Sequence, residues 1–433
     1  MDNRNIVVFA IGRAEKPLQQ ALSKLENLLQ AKLKCYLLVN EPFKKSPAYR
    51  GNETPSYFEE ISLDFSNKEL LKTTIENLSG DSQVIVHCRM EEAIKDFQKI
   101  IPLLKNSNLP TITALENCTE KKKMRAAMQN THPEITPRFK AFYSFEEFKT
   151  GDLSQFEYPV IVKPNGLHSS YLVDRCNSYE ELEQKMDQAF KKIHKVYDRE
   201  YGTGEVTILV EEFMVGDMYS VDAYVDKTGN IFHLAPIRVI PSAEVGRDGF
   251  YCYRTKTSTH ELEPEDISAA YACVDKCIES VGLTSSTAHI ELYKTVNGWK
   301  IIEIGPRVGG DRQSLYMCAY GIDHYLNDLL IRYGREPLII PKEHNYAAGF
   351  NLYAKKEGVI QDIVGLEQIK NMKSAVRFDL NTAVSKKSIF ASNGGQFLAD
   401  GIFCNKDESK LESEVEKMRS TLKFKIEGEI VNI

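Results

Sequence analysis

The chain has 433 residues, 42% apolar and 27% charged, a soluble globular balance that is too long for one core and enough for two or three domains. A formal net charge of −6 supplies no global field for nucleic acid or an anionic membrane. No apolar run approaches the about 20 residues of a spanning helix, and nine cysteines without a CxxC pair suit reduced cytosolic thiols, not a disulfide framework.

In chain order, IVVFAIG has no basic leader or cleavage site before it and reads as a strand, not a signal peptide. With CYLLV and QVIVH, and helical patterns over 16–31 and 91–105, it predicts a parallel, Rossmann-like sheet. Its first turn, Ile11-Gly12-Arg13, is not GxGxxG, so no dinucleotide site is expected there. A helix is expected over 121–130. YPVIVKP (158–164) reads as a strand ending in Lys163, and NGLHSSYLV (165–173) as a small-residue turn into a second strand. Ser178 and Glu181 form a capping-box pattern opening a helix to about Arg199. ILVEEFMVGDMYSVDAYV (208–225) predicts two strands around Gly216-Asp217, and strand, small-residue loop, strand, helix, strand is a plausible cover over phosphates. A hairpin follows in HIELYKTVNGWKIIEIGPR (289–307), then GPRVGGDR and a helix. A last subdomain from about 345 ends in an amphipathic helix near 408–421.

The hairpin raises a specific question about Glu291 and Glu303. A two-residue Asn297-Gly298 turn pairs Val296 with Trp299 and sends the glutamates to opposite faces. A three-residue loop, 296–298, sets Glu291 directly across from Glu303, with Ile290, Leu292, Ile302 and Ile304 sharing the core side. In that register like charges oppose each other, which destabilises a sheet unless something cationic sits between them. Mg²⁺ takes one or two carboxylates plus substrate phosphates. The bland alternative is a half-exposed hairpin with both acids in water.

Other candidates carry the same two-sided reading. Lys163 ends an apolar strand, where a lysine either snorkels out or is a fixed cation for phosphate. The Ser169-Ser170 loop after it has hydroxyls and amides for phosphate oxygens. Glu211-Glu212-Phe213-Met214 closes a strand, giving either solvated acids or a platform for a purine ring. Arg307 is four residues beyond Glu303, placed for a salt bridge to one of the two glutamates or for charge on a transferred phosphoryl group. His289 shares the glutamate face, as a structural hydrogen-bonder or a member of a substrate pocket. Arg238, Glu244, Arg247 and Arg254 lie in a segment that is either a solvated loop or an acceptor pocket.

Taken together, the lysine helix, YPVIVKP, LVEEFMVGDMYSVD and HIELY…IIEIGPRVGGDR resemble the ATP-grasp superfamily over roughly Lys121 to Tyr333. The tail is similar to the biotin-carboxylase-like branch. EIGPRVGGDR followed by AYGIDHYLNDLL is most similar to bacterial L-amino-acid ligases, which make dipeptides. The resemblance implies an α/β fold in three parts: an N-terminal Rossmann-like domain (1–115), an ATP-lid domain with α+β character (116–215) and a C-terminal antiparallel-sheet catalytic domain (216–433, with a 345–433 subdomain). It implies ATP and Mg²⁺, or Mn²⁺ in its place. Lys121 or Lys123, together with Lys163, Ser169 and Ser170, would meet the phosphates. Glu211 would meet the adenine amino group, with Glu212, Phe213 and Met214 at the hinge and Asp217 at the ribose. Glu291 and Glu303 would hold the metal. Arg307 would hold the acyl phosphate or substrate carboxylate, with Gly309, Gly310, Arg312, Arg238 and His289 around the substrates. Gly305 departs from the asparagine often found there. The implied activity is carboxylate–amine ligation through an acyl phosphate, on small-molecule partners, amino acids foremost. The alternatives are a ligase or carboxylase acting on another small acid or bicarbonate, and a nucleotide sensor without chemistry. A cytoplasmic setting, a homodimer and neither nucleic acid nor membrane as partner complete the expectation.

Overall fold

The computed structural model describes every residue except 1–4, 48, 50–54, 168–170, 247–250, 354, 391–396 and 433. Among the described residues the strands form four sheets. The first is parallel, in the order Glu59–Leu63, Leu33–Asn40, Ile6–Ile11, Gln83–His87. Ile6–Ile11 is buried along its whole length, as a central strand covered by helices on both faces must be. Lys16–Leu29 and His324–Tyr333 cover one face, and Lys68–Ser79 and Ile94–Ile100 the other.

The second sheet is small and antiparallel, ordered Phe139–Phe142, Ile208–Glu212, Val160–Pro164, Asp174–Cys176. The Tyr179–Glu200 helix backs it with Leu182, Met186, Ala189 and Ile193. Ser178 caps this helix by accepting from the Glu181 amide at 3.3 Å. The Glu181 carboxylate accepts from the Asn177 amide at 2.8 Å, so the return bond of the expected box lands one residue early. Tyr201 ends the helix in the left-handed region and reaches the parallel sheet. Its hydroxyl accepts from Asn40 Nδ2 at 3.0 Å, its ring meets Phe43 at 5.1 Å, and Lys95 Nζ lies 3.2 Å from the ring centroid.

The third sheet is large and antiparallel. It runs Gly298–Gly305, Ser286–Thr295, Asp217–Val225, Ile237–Pro241, Cys252–Lys256, Tyr346–Leu352, Ala399–Asn405, Ala375–Leu380, with Ile231–His233 beside Asp217–Val225. Tyr219, Val221 and Ala223 join Ile290, Leu292, Ile301 and Ile304 in a core under the Pro264–Val281 helix. Ser220, Asp222, His289 and Glu291 therefore turn to the opposite face. A fourth sheet, Lys387–Ser388, Gly358–Val364, Lys423–Ile426, Glu429–Asn432, packs with the Glu408–Thr421 helix, whose bounds agree with the periodicity read from sequence.

The hairpin keeps one of the two pairings weighed from sequence, Glu291 with Glu303, but reaches it in a third arrangement, and Trp299 pairs with Lys294 instead of Val296. Val296 and Asn297 form the tip, with Thr295 opposite Gly298, and Glu291 faces Glu303. The register shifts between Glu291 and Leu292, where Ile302 is the extra residue of a bulge. The expected core position of Ile302 is consequently taken by Ile301, which is buried while Ile302 is only partly so.

Candidate active site

The small and large sheets are joined by residues 213–216, and the candidate groups collect on either side of that junction. A Cβ at Gly216 would lie 2.1 Å from the Lys294 carbonyl, so glycine lets the junction pass close against the hairpin. Gly166 has the same role in the loop after Lys163, where a Cβ would meet the Thr203 carbonyl at 1.6 Å. That loop is fixed to the start of the Lys121–Thr131 helix. Asn165 accepts from the Lys122 amide at 2.8 Å through its side chain and from the Lys121 amide at 3.2 Å through its carbonyl.

Lys121 points into the site. Its Nζ donates to the Leu167 carbonyl at 2.7 Å and lies 3.6 Å from Glu303 Oε2. Lys123 is turned away, paired with Glu116 at 2.9 Å and Glu120 at 2.8 Å. Of the two lysines the sequence left open, the geometry favours Lys121. Ser169 and Ser170 lie outside the described residues.

Lys163 and Glu211 are both buried and form an ion pair at 2.7 Å. Arg125, a residue the sequence reading passed over, completes a triad. Its Nε and Nη2 donate to the two Glu211 oxygens at 2.9 and 3.1 Å. The available signal was spacing, because Arg125 follows Lys121 by one helical turn. Burial pushes the Glu211 carboxyl upward, but the Arg125 and Lys163 charges outweigh it and hold the group at about 2. Burial is the largest influence on Lys163 and lowers its ammonium to about 8 despite Glu211. The Glu211 carboxylate is thus held between Arg125 and Lys163. Glu212 is the outward member of the pair, against Arg138 at 3.4 Å. Phe213 lies under the Arg175 guanidinium, 4.7 Å from its ring centroid, and Met214 is half-buried beside it.

The two hairpin carboxylates face each other on the side of the large sheet away from the core. His289 Nε2 is 3.6 Å from Glu291 Oε1, and its Nδ1 is 3.1 Å from the fully buried Asp222. His324 Nε2 also reaches Asp222, at 3.2 Å, and Arg312 Nε lies 3.7 Å from its other oxygen. Burial opposes ionisation of Asp222, and the two histidines outweigh it and hold the acid well below the usual carboxylate range. Asp222 and His324 were not singled out from sequence, although Asp222 is the register partner of His289. Gly309 lets the following loop press on His289, since a Cβ there would be 2.5 Å from Nδ1. Arg312 is buried and donates to Ser220 Oγ at 3.1 Å.

Arg307 pairs with Glu91 from the parallel-sheet region and donates to the Val308 carbonyl at 3.3 Å. The salt bridge weighed for it from spacing was to one of the hairpin glutamates; the partner it takes is Glu91, from a region that spacing could not name. A Cβ at Gly305 would touch the Arg307 guanidinium carbon at 3.4 Å. The Gly310 carbonyl accepts from Arg89 at 3.2 Å.

Arg238 does not join this group. It is the register partner of Tyr219, so it faces the core side, where it pairs with Asp217 at 2.9 Å and Glu244 at 2.8 Å. Strand alternation separates it from Glu291, which corrects the sequence expectation of an acceptor-pocket arginine. Arg254 pairs with Glu412, and Arg247 lies outside the described residues.

Among the described residues no three His, Cys, Asp or Glu side chains cluster as a closed metal cage. A carboxylate pair open on one side fits a different mode, in which Mg²⁺ is shared with phosphate oxygens. All nine cysteines are free, and no described helix is long and apolar enough to cross a membrane.

Residues 156–314 match the family described as the ATP-grasp domain. The crystal structure of L-amino acid ligase from Bacillus licheniformis superposes with a TM-score of 0.72 at 20% identity, covering 97% of this chain and 98% of that one. An uncharacterised protein of Sinorhizobium fredii is 20% identical over 70% of this chain and 59% of its own length. Phosphoribosylamine–glycine ligase from Methanosphaera stadtmanae is 26% identical over 48% of this chain and 49% of its own. The chain thus spans about half to three fifths of the curated relatives it matches.

Proposed function

We propose that this chain, whose fold is the ATP-grasp fold, is an ATP-dependent carboxylate–amine ligase that activates an acid, most simply an amino acid, and joins it to an amine. The observation that carries the reading is Glu291 facing Glu303 with Lys121 reaching both Glu303 and the loop after Lys163. Two carboxylates held in opposition on an open face repel each other, and a cation arriving with a ligand would relieve that repulsion. Lysines at 121 and 163 mark where the anionic partner of that cation would lie.

In this reading the substrate carboxylate attacks the γ-phosphate of ATP, giving ADP and an acyl phosphate. The amine then attacks the acyl carbon, and phosphate leaves as the amide forms. Glu291 and Glu303 would hold Mg²⁺, or Mn²⁺ in its place, which offsets charge on the transferred phosphoryl group. Lys163 and Lys121 hold the phosphate chain, and Arg307 stabilises the acyl phosphate from a fixed position against Glu91. Purine contacts fall to the main chain of 212–214 and the Phe213 and Met214 side chains, because the Glu211 carboxylate is occupied. Asp217, the ribose contact implied by the resemblance, pairs with Arg238 on the face away from Glu291 and takes no part in this reading.

The test is phosphate release from ATP and Mg²⁺ across a matrix of amino-acid pairs, with product masses read in parallel. ADP and phosphate that appear only with certain pairs, together with a product of amide mass, establish the ligase and name its substrates. Turnover restricted to another acid or bicarbonate moves the assignment to that chemistry. Nucleotide binding without turnover on any acid supports a sensor and overturns the proposal.

A further inference from the structure

The bulge at Ile302 decides whether the carboxylate pair exists. The hairpin starts with Thr295 opposite Gly298 and continues through Leu292 opposite Ile301. Carried on unbroken, that register would put Ile302 across from Glu291 and turn Glu303 toward the core. Something must hold the extra residue in place, because a bulge takes carbonyls out of the ladder and a buried carbonyl without a donor is costly.

The donor is Arg125. Its Nη1 gives a hydrogen bond to the Ile301 carbonyl at 2.9 Å and its Nη2 one to the Ile302 carbonyl at 2.7 Å. The same guanidinium clamps Glu211, and Glu211 holds Lys163. One fully buried fork therefore spans the bulge before Glu303 and the acid that anchors the phosphate-side lysine. Lysine could not do the same work, since a single ammonium lacks the planar geometry needed for acceptors on two strands.

We infer that Arg125 is a positioning residue that fixes Glu303 and Lys163 relative to each other as one unit. The inference rests on the reading above that Glu291 and Glu303 take Mg²⁺. Arg125 touches neither nucleotide nor metal in this scheme and acts only through Glu211 and the two carbonyls.

The test compares wild type with Arg125→Lys and Arg125→Met. Two quantities are measured on protein whose fold is verified by circular dichroism. One is the Mg²⁺ concentration that half-saturates ADP binding, and the other is amide hydrogen exchange without metal across 298–305. Outer-shell partners of metal ligands typically change affinity about 10–100-fold, so half-saturation should rise by at least about tenfold in both variants. Exchange should accelerate selectively in 300–305 relative to the Tyr346–Leu352 strand of the same sheet. If Arg125→Met does not fold, Arg125→Lys carries the same two readouts. Wild-type Mg²⁺ dependence in folded variants, or exchange that rises evenly through the sheet, reduces Arg125 to a structural residue and overturns the inference. If wild type itself fails to bind Mg²⁺ and ADP, the functional reading falls, and selective exchange still shows Arg125 holding the bulge.

Discussion

Two acidic places on either side of the 213–216 junction handle negative charge in opposite ways. Glu211 is buried and closed off by a guanidinium and an ammonium from its own chain. Glu291 and Glu303 are partly open and face each other, and among the described residues their ion-pair contacts are the long ones to His289 and Lys121, each at 3.6 Å. A buried charge has to be compensated within the chain, because leaving it unpaired is costly. An exposed pair of like charges can persist with partial compensation, and it is then selective for a cation that arrives with a ligand. The first arrangement builds the scaffold and the second is suited to binding.

This contrast can be broken by substitution. Glu303→Gln should give the largest effect, a drop in ligase turnover on the order of 10³-fold, since metal charge stabilisation is worth several kcal/mol and each 1.36 kcal/mol is about tenfold. Wild-type turnover with unchanged Mg²⁺ dependence would remove Glu303 from the metal site. Glu211→Ala should act on the fold instead, costing about 3–5 kcal/mol in urea unfolding because Arg125 and Lys163 are left buried without their acid. A loss below about 1 kcal/mol would mean that the triad is not a structural unit.

Proton linkage sharpens the contrast further. Lys163 is lowered by burial to about 8, so it is charged below that pH and increasingly neutral above it. Phosphate beside it favours the charged form and raises its pKa on binding. ADP affinity should therefore fall as pH rises through about 8, with uptake of up to about one proton at pH 8.5–9. Calorimetry in two buffers of different ionisation enthalpy measures this, and zero uptake would take Lys163 away from the phosphates. The smallest effect concerns the open pair. Without metal, Glu303→Gln relieves like-charge opposition and should stabilise the fold by about 0.2–1 kcal/mol in urea unfolding, the opposite sign to Glu211→Ala.

What was legible in the sequence follows the range of the forces involved. Local patterns gave the parallel sheet, the 121–131 helix and the 408–421 helix, because burial periodicity and caps act within a few residues. The facing of Glu291 and Glu303 was one of two readings of the loop. Its cause was invisible, since the bulge is held by a side chain more than 170 residues earlier in the chain. Glu211 was visible as a special acid, but its partners arrive from a helix and a neighbouring strand. Arg238 was misassigned because the segment gave no strand register, and register alone decides which face a side chain takes. The partner of Arg307 lies in the parallel-sheet region and likewise has no local signal.

Tyr201 bears on how two parts of the molecule are held together. It docks the small sheet's helix onto Asn40, Phe43 and Lys95 of the parallel-sheet region. Any displacement of the small sheet relative to the parallel sheet would break these contacts. One phenol thus couples the placement of the small sheet to that of the parallel sheet, two elements whose covalent connection runs elsewhere.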